Sequence, residues 1–497
     1  MFPRGHPRRL PAWRKGALLA TTSFAAFLAN FCAGGHLTAF EDVSKSLHVT
    51  IPQAASAIGI GILGLGFGPL VWGPLSSSIG RRPTWLLAWS LFFLTTIWIA
   101  LSGNYANFEA SRFLAGFTSS VSQSVPAAQI ADIFSPAHRG LCVSVWTFAI
   151  VTGPVTAPIV CAGILTATTW RWMYWLIVIL AGATLVAVFF FVPETLVIDD
   201  GFLSPALSAS SPTAKTAADE IDDKKEATDV ETGSSHSSKE VGTGAADRQA
   251  RVGVAWYPWR EPLRFCIQML TPFRMALFLP VLVPSIVYSV FFGWGVGMTV
   301  ITPQVFMKPP WNFTNVAVGA SFMASFVGAA IGKFFGGWFS DFVVTQATKR
   351  KSAASSSAEA AIREPEPRMW ALLFGLPFLF IGAFFYGYGI QQKAAWPVAV
   401  IVGMGGYYVG VNSTQSVVQT YVVECQLTKA AYSMALFNLI KCIFAFGVTY
   451  YLPEWAAKDY WSCYGACAGI ALGLGLLLAA WLLVAGKATR RWQGMVE

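Results

Sequence analysis

The residues with chemistry to offer are the few ionisable and amide side chains set inside long apolar runs. Arg112 stands about one turn beyond Glu109, and Gly116, Ser119 and Gln123 continue the same face at helical spacing. Lys441 shares a helical face with Asn438, while Asn412, Gln415, Ser416 and Gln419 recur at i, i+3, i+4 and i+7. His36 lies towards the outer end of the first apolar run, either in a cavity or beside headgroups. Such groups are costly in a bilayer and point to a cavity or a substrate. The chemistry they can do is binding. A guanidinium or ammonium takes an anionic group, and amides supply hydrogen bonds. The alternatives are structural: a Glu109–Arg112 pair for the arginine, and helix–helix hydrogen bonds for the amide stripe. Lys333, near the end of its run, reads as a snorkelling side chain, and Tyr288 and Trp294 read as packing. No Asp or Glu is central in any run, so an anionic or neutral substrate fits better than a cation.

A second set of charges lies at the ends of runs. Residues 73–83 read as a tight hairpin loop carrying Gly73, Gly80, Arg81, Arg82 and Pro83, with an echo at Gly336, Gly337 and Asp341 before Lys349, Arg350 and Lys351. Asp132 with Arg139, and Glu424 with Lys429, occupy equivalent places after the fourth and tenth runs. These pairs, facing Arg81, Arg82 and Lys349, are expected to form inter-helix pairs that close an inward gate. Breaking and re-forming them gives the two-state element that alternating access needs.

Catalysis finds no support here. The five histidines are scattered, and Cys32, Cys142, Cys161 and Cys442 lie in apolar runs as small hydrophobes. Cys463 and Cys467 are one turn apart with no His beside them, which reads as core packing. No metal, no cofactor and no enzyme activity are expected. The net charge of +9 is not gathered into a nucleic-acid-binding module, and membrane flanks account for it.

The elements that must position these residues are membrane spans. The chain is 55% hydrophobic and 12% charged, where a soluble domain carries about 25% charged residues. Twelve runs of spanning length lie near 16–40, 54–76, 84–102, 107–132, 141–163, 171–192, 275–303, 314–338, 369–390, 396–421, 430–452 and 461–486. Loops on one side hold most of the cations, and the other side holds Lys45, Arg171, Lys308, Lys393 and Lys458, which puts both termini in the cytoplasm. The fold class is therefore all-α integral membrane, twelve transmembrane helices in two pseudo-symmetric six-helix bundles. Expected divisions are a tail at 1–15, a first half at 16–194, a disordered linker at 195–271, a second half at 272–486 and a tail at 487–497. Residues 204–249 have almost no large apolar side chains. Trp256, Tyr257 and Trp259 read as an interfacial anchor, and 345–366 as a second polar insert.

In this arrangement the chain resembles the major facilitator superfamily, in its fungal drug:proton antiporter-like branch. Residues 73–82 resemble the signature loop between spans two and three, with Ser77 where the family has an acid; Asp341 supplies that acid in the second half. Arg112 with Gly116, the run Ala131-Asp132-Ile133-Phe134 with Arg139-Gly140, and Gly153-Pro154 with Pro158 resemble motifs of spans four and five, with Ala157 replacing a glycine. Trp170-Arg171-Trp172, Pro193-Glu194-Thr195 and Glu364-Pro365-Glu366 with Arg368 resemble fungal members. The resemblance implies a monomeric secondary transporter with a midplane cavity, a small-molecule substrate, proton coupling and a home in the plasma membrane or an organelle membrane.

Export of a small metabolite such as an organic acid is the expected role. Arg112, Lys441 and Asn438 lead the binding candidates, followed by Gln123, Asn412, Gln415 and His36. Gly73, Gly80, Arg81, Arg82, Asp132, Arg139, Asp341 and Glu424 are the gate candidates. The rivals are uptake of a nutrient or polyamine by the same fold and a transporter-like nutrient receptor.

Overall fold

The computed structural model describes residues 10–134, 136–198, 251–252, 258–354, 365–426 and 429–493. The first half comprises α1 (Ala12–Gly34), a short outer helix α2 (Phe40–Leu47), α3 (Ile51–Ser78), α4 (Arg81–Leu101), α5 (Tyr105–Ser119), α6 (Val121–Ile133), α7 (Pro136–Leu165) and α8 (Arg171–Phe191). The second half begins with α9 (Pro262–Met275) and α10 (Leu279–Phe306), followed by α11 (Asn315–Ala354). A 3-10 turn (Glu366–Ala371) leads into α12 (Leu372–Gln391), and a π-helical segment (Val398–Gly405) runs into α13 (Gly406–Cys425). α14 (Ala430–Lys458) and α15 (Tyr460–Trp492) complete it.

Among the described residues, ten helices are long and apolar enough to cross a membrane alone. The remaining two of the twelve spans are the interrupted ones. The fourth is α5 and α6, parted at Ser120, and the tenth is the π segment with α13. These are also the spans with the polar stripes, where hydroxyl and amide side chains compete for backbone groups.

The duplication shows in the packing. In the first half α1 packs on α7, α3 on α5, and α4 on α8; in the second, α10 packs on α14, α11 on α13, and α12 on α15. Each half has its own large apolar core, with Val155 of the first half reaching into the second core and Val300 of the second into the first. The seam between the halves is α3 against α14 and α7 against α11. Small residues line it: Gly59 meets Thr449, Gly66 meets Cys442, and Gly319 meets Pro158 and Ala162.

Glycine sets the closest approaches inside each half. A Cβ on Gly64 would lie 2.2 Å from the Phe113 carbonyl oxygen, and one on Gly116 would lie 2.1 Å from that of Gly61. The second half repeats this where Gly328 and Gly332 would meet the Gly405 and Val409 oxygens at 2.2 and 2.3 Å. Such backbone-on-backbone packing is how membrane helices associate without a hydrophobic drive. Gly64→Ala is expected to cost about 3 kcal/mol by overpacking, read as a lower melting temperature in detergent. Gly73→Ala is the neutral control, because no neighbouring atom lies within 4 Å of where its methyl group would sit.

Several expected boundaries move. The 73–83 stretch is not a loop: α3 runs through Ser78 and α4 starts at Arg81, leaving Ile79 and Gly80 as the turn. The Ser76, Ser77 and Ser78 hydroxyls donate to carbonyls three residues back, which suits them to a helix end. Gly80 supplies the turn with φ of 109°, a conformation that favours glycine. The expected insert at 345–366 is helical up to Ala354, because α11 runs 40 residues and projects beyond a bilayer core about 30 Å thick. The stretch read as a linker at 195–271 contains the start of α9, and Val197–Ile198 (β1) pairs antiparallel with Arg251–Val252 (β2). Residues 199–250, including most of the expected disordered linker, and Trp256 and Tyr257 lie outside the described residues.

Candidate substrate cavity and charge locks

Between the halves lies a cavity of roughly 1100 Å³ of empty space, part of it continuous with solvent. The first half contributes Asn30 from α1, Ile58 and Ile62 from α3, and Gln123 from α6. The second contributes Tyr288 and Phe292 from α10, Tyr408, Asn412 and Gln415 from α13, and Lys441 from α14. Four of the expected binding residues therefore come together: Gln123, Asn412, Gln415 and Lys441.

The polar groups sit on the two interrupted spans and their neighbours. Gln123 donates to Asn30 Oδ1 at 3.4 Å, and Asn30 in turn donates to the Ala26 carbonyl at 2.8 Å. Asn412 donates to the Tyr408 carbonyl at 3.0 Å. Lys441 Nζ stands 4.8 Å from the centre of the Phe292 ring, a cation–π contact. Tyr288 stacks on Phe437, and its buried hydroxyl has no hydrogen-bond partner among the described residues.

Arg112, His36 and Asn438 are placed elsewhere. Arg112 is 2% exposed and lies behind the cavity wall. It donates from Nη1 to the Cys32 carbonyl at 2.6 Å, from Nη2 to that of Ala33 at 2.7 Å, and from Nε to that of Ala57 at 3.5 Å. Those carbonyls belong to the last turn of α1 and to α3; that of Cys32 also accepts the Gly35 N–H at 3.2 Å. His36 is fully buried; its Nε2 pairs with the Ala54 carbonyl at 3.1 Å and its Nδ1 with the Tyr174 hydroxyl at 3.0 Å. Asn438 is half-buried on α14, outside the cavity lining. Asn30 joins the lining without having stood out in the sequence, although an amide within an apolar run is the same kind of signal that marks Gln123. Trp294 donates to the Tyr451 hydroxyl at 3.3 Å and does not line the cavity.

The gate candidates resolve into two charge locks, each closed within its own half. In the first, Arg81 Nε is 3.7 Å from Asp132 Oδ2, and Arg81 Nη1 donates to Ser76 Oγ at 2.9 Å. The Glu194 carboxylate accepts the backbone N–H groups of Arg81 and Arg82 at 2.9 and 3.1 Å, capping the start of α4. Arg82 donates to the Phe189 carbonyl at 2.8 Å.

The second lock centres on Arg368, which is 3% exposed. Its Nε and Nη2 make a bidentate pair with Glu424 at 2.6 Å each, and its Nη1 reaches Asp341 and Ser340 at 2.9 Å each. Next to it, Arg490 holds Glu366 through Nε at 2.8 Å and Nη2 at 2.5 Å. Asp341 and Glu424 thus pair with Arg368, where Glu424 was expected to face Arg81, Arg82 and Lys349. The arginine of their own half lies close enough for a fork-to-carboxylate geometry. Arg368, noted in the sequence only for its place beside Glu364-Pro365-Glu366, joins the gate candidates, and its nearness to Glu366 at the edge of an apolar run is the available clue. Gly73 lies open within α3, and Gly80 forms the turn that brings Arg81 under Glu194. Arg139 is on α7, and its side chain lies outside the described residues.

Comparison with known proteins gives this geometry a lineage. The chain is 24% identical over 485 residues to "Efflux pump radE" of Floropilus chiversii, covering 97% of this chain and 80% of that protein. It is 27% identical over 427 residues to "Uncharacterized transporter mfc1" of Schizosaccharomyces pombe, covering 85% and 78%. A 191-residue stretch is 32% identical to the "Ascochitine biosynthesis cluster MFS transporter" of Didymella fabae, spanning 38% of this chain and 37% of that one. In fold, the crystal structure titled D-xylose-proton symporter superposes with a TM-score of 0.60 at 16% identity, covering 95% of this chain and 97% of that one. The family model of the Major Facilitator Superfamily matches residues 22–449. With twelve spans in two like halves around one cavity, the chain belongs to the major facilitator superfamily of membrane transporters and is not an enzyme.

Proposed function

We propose that this transporter exports a small organic anion, with the 16–194 and 272–486 halves rocking about the central cavity. The observation that carries the reading is Lys441. It is the one charged side chain among the described residues lining the cavity, and no described carboxylate lines it. An ammonium in a largely apolar cavity attracts a substrate that brings the countercharge. The amides of Gln123, Asn412 and Gln415 then orient the rest of the molecule, and Phe292 and Tyr288 give it an aromatic floor. The efflux names of several relatives support the outward direction, and an organic acid or secondary metabolite is the substrate class. The monomer in the plasma membrane, coupled to protons, completes the reading.

The test compares metabolites inside cells and in the medium with the protein, without it, and with Lys441→Ala or Lys441→Arg. An anion that accumulates inside and falls outside on loss of the protein supports export. Lys441→Ala is expected to weaken its handling roughly 30-fold, as for loss of one partner of a buried charge pair, with Lys441→Arg recovering most of it. Normal anion transport by Lys441→Ala overturns the anion assignment. A compound that falls inside and stays outside overturns the direction in favour of uptake.

A further inference from the structure

We infer that α9 is a strap seated in the anionic headgroup layer of the cytoplasmic leaflet, laid across the seam of the two halves. One face of α9 is buried: Pro272 and Met275 are covered, and the helix packs against both α3 of the first half and α14 of the second. The opposite face is exposed and apolar apart from Arg274, which falls within its arc in the last turn. Leu263, Ile267, Leu270 and Phe273 are 74%, 45%, 57% and 46% exposed, and at 100° per residue they fall within one arc together with the exposed Cys266. Trp259 and Leu277 extend that arc beyond either end, at 71% and 75% exposed.

An apolar arc of this length is costly to leave in water and favourable at a membrane surface. α10 begins at Leu279, with three residues between it and the end of α9, so the helix is held where the bilayer starts. The arc also continues into the lipid-facing surface of α10, where Leu279 and Ile286 are exposed. Exposed or half-buried arginines stand along its length at 260, 264 and 274, and Glu261, 3.0 Å from Arg264, is the one acid on the segment. A helix with an apolar face and basic flanks lies in the interfacial plane and favours anionic lipid. The positive-inside rule puts this face in the cytoplasm. The strap is independent of what the cavity carries.

The experiment uses the full chain in nanodiscs of phosphatidylcholine alone or with about one third phosphatidylserine. Cys266 is exposed and the other seven cysteines are buried, so a polarity-sensitive maleimide reports on α9. The probe is expected to emit to the blue and to be quenched by lipids brominated high on the acyl chain, more so with phosphatidylserine. Replacing Arg260, Arg264 and Arg274 by Gln should remove the phosphatidylserine increment, lowering the ratio of seated to unseated helix roughly fivefold per arginine. Leu263→Ser with Leu270→Ser should abolish the bromolipid quenching in either lipid. Quenching by aqueous iodide with none by bromolipid overturns the strap. Bromolipid quenching that ignores both phosphatidylserine and the arginines overturns the anionic-headgroup assignment.

Discussion

Replacing Arg112 with alanine is expected to lower the stability of the folded transporter by about 3 kcal/mol, before any substrate is added. The guanidinium joins three elements: it rides on α5 and donates to carbonyls of α1 and α3. Cys32 and Ala33 lie in the last turn of α1, where a cation adds hydrogen bonds to the carbonyls and meets the negative end of the helix dipole. Alanine would remove three hydrogen bonds from a buried site. Lysine would keep the charge without the planar fork and is expected to recover less than half of the loss. The wall of the cavity would suffer with the fold, because Ala33 and Gly34 line it directly. Thermal unfolding of detergent-purified protein, in the absence of ligand, gives the answer. An Arg112→Ala protein that melts like the parent but fails to bind substrate would restore Arg112 to the binding site.

Arg368→Ala is the second large loss, expected at roughly 3–5 kcal/mol because it takes from Glu424 the buried guanidinium that holds it in a bidentate pair. Glu424 is the more affected partner: its side chain is 23% exposed, whereas that of Asp341 is 66% exposed and can turn to water. Adding Glu424→Gln to Arg368→Ala should therefore return part of the stability, and adding Asp341→Asn should return little. Arg81 and Asp132 serve as the comparison in the same melting experiment. Arg81 Nε approaches Asp132 at 3.7 Å without the bidentate geometry, and Asp132→Asn is expected to cost less than Arg368→Ala. Equal losses in the two halves would contradict the view that the second lock is the stronger.

Much of this architecture is legible in the residues, and the reasons for the exceptions are physical. Hydropathy locates all twelve spans, because every backbone group in lipid must be bonded within its own segment. The polar stripe through Asn412 and Gln415 locates one wall of the cavity, and Lys441 another. Hydropathy is blind to where a helix stops once it has left the bilayer, so α11 and α3 outrun their apolar stretches. It is equally blind to whether a buried charge faces a cavity or a helix end. Arg112 and Lys441 give the same signal in one dimension. The difference between them is that Arg112 finds three carbonyls and Lys441 finds an aromatic ring and open space. Arg368 is hard to recognise in one dimension because its partners are 27 and 56 residues away in the chain.

The small residues along the seam have a mechanical consequence. Gly59 against Thr449, Gly66 against Cys442, and Gly319 against Pro158 bring two smooth surfaces into contact. Dispersion forces between such surfaces change gradually as one slides over the other, and at these points no directional bond has to snap before motion begins. The charge locks act in the opposite sense, since each ties helices of one half to one another. Stiff bodies joined along a slippery line make a bearing: friction is low between the parts and rigidity is kept within them. A bulky side chain at Gly66 would act on such a bearing as grit does, arresting the stroke while leaving each half intact.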